Sequence, residues 1–85
     1  FIPDGDNIND TWLMVFSNPE NVINFRVNIF DRWGENIHTS TDLYQGWDGT
    51  YKGHEVQDGT YTWIVVFEWV DKRVFEVRGH VNVLR

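Results

Sequence analysis

Two short stretches, Trp47-Asp48-Gly49-Thr50 and Asp58-Gly59-Thr60-Tyr61-Thr62-Trp63, decide how this chain is read. Asp-Gly tolerates positive φ in tight turns, and in both stretches it is followed by a β-branched Thr that suits a strand. From Thr60 onward the residues alternate. Tyr61, Trp63, Val65, Phe67 and Trp69 share one face, and Thr60, Thr62, Ile64, Val66 and Glu68 share the other. The first face is apolar and aromatic and the second is mixed, which predicts a central strand covered on both sides for part of its length.

Working outward, Asp71-Lys72-Arg73 reads as a charged turn after this strand. A last strand follows, with Phe75, Val77, Gly79, Val81 and Val83 on one face and Glu76, Arg78, His80 and Asn82 on the other. Between the two Asp-Gly turns, residues 50–57 form a small excursion or short hairpin around Gly53. Upstream, residues 22–33 read as a half-solvated strand with Phe25, Val27 and Ile29 pointing one way and Asn24, Arg26 and Asn28 the other; Gly34 breaks it. Residues 35–39 form a return strand, and Ser40-Thr41-Asp42 a polar loop. Residues 11–17 are a further strand candidate, closed by the turn Asn18-Pro19-Glu20-Asn21. Six or seven short strands with frequent turns and no helical period predict an all-β, antiparallel, immunoglobulin-like β-sandwich of about seven strands.

At 85 residues the chain is a single domain, with an acidic, turn-rich opening over 1–10 and the sandwich over 11–85. A chain this short buries only about 60% of its extended surface. Its five Trp, three Tyr and six Phe compensate, because each buries a large area. With no cysteine there is no disulfide framework, thiolate metal site or thiol nucleophile. The net charge of −6 repels phosphate backbones and anionic membranes, so nucleic-acid partners are disfavoured. The apolar runs 12–16 and 63–67 fall far short of the roughly 20 residues of a membrane-spanning helix, so no membrane insertion is expected. The chain opens on Phe1 without a signal peptide and reads as a piece of a longer polypeptide.

Catalytic patterns are missing from the sequence. Ser17 and Ser40 are the only serines and neither sits in a nucleophile elbow, while His38, His54 and His80 are scattered without zinc spacing. The domain is therefore read as non-enzymatic. Asp4, Asp6 and Asp10 could offer oxygens to calcium. The fifth and twelfth positions of such a loop hold Ile8 and Val15, however, and Asx-turns explain the same residues with fewer demands. Apart from that calcium, no cofactor is expected. Trp63 and Trp69 belong to the core face. Trp12, Trp33 and Trp47 stand beside turns, where they either plug the end of a sandwich or form a sugar-binding platform; their size favours the first.

Four blocks together resemble the gliding-motility-associated C-terminal domain family, the type B sorting domain of the type IX secretion system of Bacteroidota. Phe1-Ile2-Pro3-Asp4-Gly5-Asp6-Asn7-Ile8-Asn9-Asp10 is similar to the family's opening Phe-x-Pro-Asn-Gly-Asp-Gly-x-Asn-Asp. Ile29-Phe30-Asp31-Arg32-Trp33-Gly34 is similar to its Ile-Tyr-Asn-Arg-Trp-Gly. Trp47-Asp48-Gly49-Thr50 with Val56-Gln57-Asp58-Gly59-Thr60-Tyr61 matches its double Asp-Gly-Thr centre, and Gly79-His80-Val81-Asn82-Val83-Leu84-Arg85 its closing strand. The blocks span almost the whole chain in order. Asp4 and Asn7 depart from the family's Asn and Gly.

The resemblance implies a sorting or anchoring domain at the C-terminus of a large secreted or surface protein. The outer-membrane type IX translocon, helped by a SprF/PorP-like barrel protein, would read it, and the N-terminal cargo in the same polypeptide would do the biochemistry. The residues expected to make the fold or meet the partner are Asp4, Asp6, Asn9, Asp10, Arg32, Trp33, Gly34, Trp47, Asp48, Gly49, Asp58, Gly59, Thr60, Tyr61, Gly79 and Arg85. Gly34, Gly49, Gly59 and Gly79 are expected to serve backbone geometry or close packing. Arg32, Asp48 and Asp58 fit either turn capping or partner contact. The last strand, if at a sheet edge, could accept a partner's strand. A structural spacer of an adhesin and a carbohydrate-binding module are the competing readings.

Overall fold

The computed structural model describes residues 1–3 and 11–84. Six strands occur among them: β1 (Val22–Phe30), β2 (Asn36–Ser40), β3 (Thr50–Tyr51), β4 (His54–Glu55), β5 (Gly59–Trp69) and β6 (Val74–Val83). One turn of 3-10 helix, Pro19–Asn21, leads into β1. A four-stranded antiparallel sheet has the order β2-β1-β5-β6, and β3-β4 form a separate hairpin. The fold is all-β and antiparallel, as the alternation predicts.

The long aromatic strand β5 is central, paired to β1 on one side and β6 on the other. Its inward face meets β1 and β6 in a core of Phe25, Val27, Ile29, Ile37, Trp47, Tyr61, Val65, Val81 and Val83. The opposite face differs from the expectation of cover on both sides. Ile64 and Val66 are only half-buried there, outside the core cluster, and the surrounding residues are polar. Asn24, Asn28, Asn36 and Thr39 spend their side chains on surface hydrogen bonds along that side.

The second layer of the sandwich is thin. Residues 11–17, expected as a strand, make a single bridge in which Trp12 and Trp47 exchange N–H···O bonds of 2.8 and 2.7 Å. The rest of that segment makes no ladder pairing. Its side chains explain why: Trp12 packs on Trp63 at 5.4 Å between ring centroids, and Phe16 sits edge-on to Phe25 and Phe67. The segment is therefore held by its aromatic plugs, which cover the apolar face of the sheet. β6 is only partly under that cover. Val81 and Val83 are buried, but Phe75 and Val77 on the same face remain 37% and 39% exposed.

Two boundaries shift for local reasons. β1 ends at Phe30 and does not continue to Trp33, because the Asp31 carboxylate accepts the N–H groups of Trp33 and Glu35, both at 2.9 Å. That Asx-type turn takes over from the ladder. Inside β1 the register slips between Ile23 and Arg26, where Asn24 adopts φ of 54° and its amide reaches Glu68 at 2.9 Å. This is a β-bulge with Asn in the left-handed region.

Candidate functional site

Register brings the motif blocks to one end of the sheet. Phe30 pairs with Thr62 and Gly59 with Val83, so the end of β1, the start of β5 and the end of β6 lie side by side. The turn Asp31-Arg32-Trp33-Gly34 and the segment 56–61 meet there. The β3-β4 hairpin folds toward them, and Tyr51 donates its hydroxyl to Glu35 at 2.8 Å. Between these parts lies a cleft of about 160 Å³, lined by Arg32, Trp33, Tyr51, Gln57, Thr60 and Tyr61 among others. Arg32 places its guanidinium 5.0 Å from the Trp33 ring centroid, a cation-π contact on an exposed surface. Trp33 itself is 76% exposed.

Behind this surface the remaining motif residues support the turns. Trp47 is 1% exposed and is ringed by Phe1, His38 and Tyr61, with centroids 5.5, 6.4 and 5.4 Å away. Its indole N–H donates to the Thr50 carbonyl at 3.0 Å, which satisfies the one polar atom of a buried ring. Asp48 caps the turn. Its carboxylate accepts the Thr50 N–H at 3.0 Å and the Thr50 hydroxyl at 2.6 Å. Gly49 adopts φ of +81° between them and its carbonyl accepts from the Val56 N–H, so a side chain there would be strained. Gly34 and Gly59 also have positive φ. Thr60 donates to Asn82 across to β6 at 2.7 Å, and Tyr61 donates to the Gln57 carbonyl.

Of the expected site residues, Arg32, Trp33, Gly34, Gly59, Thr60 and Tyr61 come together around the cleft, with Trp47, Asp48, Gly49 and the exposed Asp58 nearby in the chain. Gly79 stands apart, further along β6 against Trp63. Asp4, Asp6, Asn9, Asp10 and Arg85, with the calcium reading they carry, lie outside the described residues. The three turn-side tryptophans separate: Trp47 is buried, Trp12 packs on Trp63, and Trp33 stands on the surface. They do not share one platform.

Two features were not read from the sequence. Tyr51 and Glu35 join the cleft through a bond that crosses from hairpin to turn, for which no local pattern exists. His38 is the second: its Nε2 is buried with no hydrogen-bond partner among the described residues. Burial holds the His38 pKa below its ordinary value, against a smaller opposing pull from the Asp48 carboxylate. Among the described residues no cluster of three or more His, Cys, Asp or Glu side chains is placed to hold a metal ion.

This geometry defines a small β domain that presents a set of turns, backed by a buried Trp, at one end of a sheet. The family description CHU_C type IX secretion signal domain matches residues 1–83, and the chain belongs to that family. No curated protein matches it. Membership gives the domain a sorting role in type IX secretion, which engages the secretion machinery and exports its passenger across the outer membrane to the surface or medium.

Proposed function

We propose that the secretion machinery reads this domain as a folded, non-catalytic surface centred on Arg32 and Trp33, and that a SprF/PorP-like barrel protein is the docking partner. One observation supports this above the others. Residues far apart in the chain, Arg32 and Trp33 on one turn and Gln57 and Thr60 before and at the start of β5, line one cleft only when the sheet is formed. Buried tryptophans are explained by packing, whereas a Trp left 76% exposed under an arginine is a common centre for protein contacts. The cargo N-terminal to this domain in the same polypeptide carries the biochemistry, and the domain works without a cofactor. Calcium at Asp4, Asp6 and Asp10 is tested by melting the domain with and without the ion, since a ligand of the native state raises the transition.

The test is export of a passenger. A fluorescent reporter with a general export signal is fused ahead of the 85 residues and expressed in cells with and without a working type IX translocon. The reporter reaches the surface or medium only in the first. Retention in the periplasm of both strains would favour the spacer reading. Titration of intrinsic Trp fluorescence with polysaccharides separates the carbohydrate-binding reading, for which Trp33 would have to respond.

A further inference from the structure

The outer edge of β6 is open over residues 74–80: β6 is the last strand of the sheet, and among the described residues it pairs only with β5. The edge closes at its C-terminal end, where the Asn82 carbonyl and the Leu84 N–H both bond to the main chain of Phe1. These two bonds also fix which groups face outward. Asn82 and Leu84 point away from β5, so by the alternation of an unbulged strand Val74, Glu76, Arg78 and His80 do as well. An open run with exposed Val74, Phe75 and Val77 is a template for another strand.

We propose that the occupant of this edge is a second copy of the chain, with the two β6 strands antiparallel about a two-fold axis at Val77. Three observations select this arrangement. The open stretch 74–80 is itself symmetric about Val77. In that register Glu76 of each copy faces Arg78 of the other, giving two cross-strand pairs of opposite charge; the same two side chains already pair at 2.8 Å within one copy. The neighbouring registers that keep the outward groups in phase fail on charge. One sets Glu76 against Glu76 and the other Arg78 against Arg78, and like charges directly opposite are destabilising. The chosen register also sets Val77 opposite Val77, an apolar pair at the axis. The product is one continuous eight-stranded sheet with an isologous interface.

The test is sedimentation of the 85-residue chain at about 0.01–1 mM in about 0.15 M salt, where charges more than ~8 Å apart are screened. The wild-type chain shifts from monomer to dimer with rising concentration. Glu76→Arg alone and Arg78→Glu alone each lose self-association by about tenfold or more. Both stay folded by circular dichroism, because the two side chains are largely exposed and their pairing within one copy carries little stability. An equimolar mixture of the two single variants dimerises again, as does the double variant E76R/R78E, since each restores opposite charges at 76 and 78. A wild-type chain that stays monomeric throughout, or single variants that associate as tightly as wild type, overturns the proposal. A mixture that fails to dimerise overturns the register.

Discussion

Trp63 and Gly79 face each other across β5 and β6, and the indole occupies the space a side chain at 79 would need: a Cβ built there meets Cζ2 of Trp63 at 2.3 Å. The glycine is needed for close packing, since its own φ is not in the left-handed region. The approach lets the ring lie flat over β6 and accept Trp12 on its other side, which fastens the segment 11–17 to the sheet. Gly79→Ala therefore forces either the ring or the strand to move. It should destabilise the domain by about 1–3 kcal/mol, in the range of overpacked cores. Urea unfolding checks this, and Trp63→Leu in the same chain should recover part of the loss if the ring is the obstacle.

The turn beneath the cleft is held by Trp47, Asp48 and Thr50 acting together. Trp47→Phe keeps most of the apolar area but leaves the Thr50 carbonyl without the indole N–H and opens a small void, an expected cost of about 2 kcal/mol. Asp48→Ala removes the acceptor for two Thr50 donors and should cost about 1 kcal/mol, because that turn is exposed and water replaces part of the loss. Equal and larger losses for Asp48→Ala would mean that the carboxylate holds more than its own turn.

His38 gives the domain a pH dependence with a definite sign. Burial lowers its folded-state pKa from the ordinary 6.5, so the unfolded chain binds the proton more readily. The stability tied to neutral His38 is fully present above pH 6.5 and is lost as pH falls through the folded-state value. The melting temperature should therefore drop on acidification below 6.5, and His38→Gln should flatten that part of the profile. Melting scans across this range on both chains check it; an unchanged slope in the variant removes His38 as the cause.

The alternation in β5 and β6, the two Asp-Gly turns and the hairpin at Gly53 were legible because they depend on neighbours in the chain. So was the capping role open to Asp48, which reaches only two residues ahead. The segment 11–17 was misread as a strand because its apolar residues satisfy strand preference, while its partner is a single residue, Trp47, that no local pattern designates. Trp33 and Trp47 look alike in sequence, each beside a Gly-containing turn, yet one is 76% exposed and the other 1%. The difference comes from tertiary placement: Trp47 lies under Phe1 and β5, whereas Asp31 turns the chain so that Trp33 points outward. The cleft itself joins four separated segments, and only the pairing of β1, β5 and β6 brings them to one end.

The exposed side chains at that end and the buried ones behind it should separate cleanly in function. Trp33→Ala combined with Arg32→Ala removes the stacked pair while touching no core residue, so melting should stay within about 1 kcal/mol of wild type. The most direct measurement is export of a reporter fused ahead of this double variant in cells with a working translocon. Recognition of a folded surface predicts a fall in export of about tenfold or more with the melting temperature preserved. Full export of the double variant, or full export of a Gly79→Val chain that circular dichroism shows to be unfolded, would contradict it.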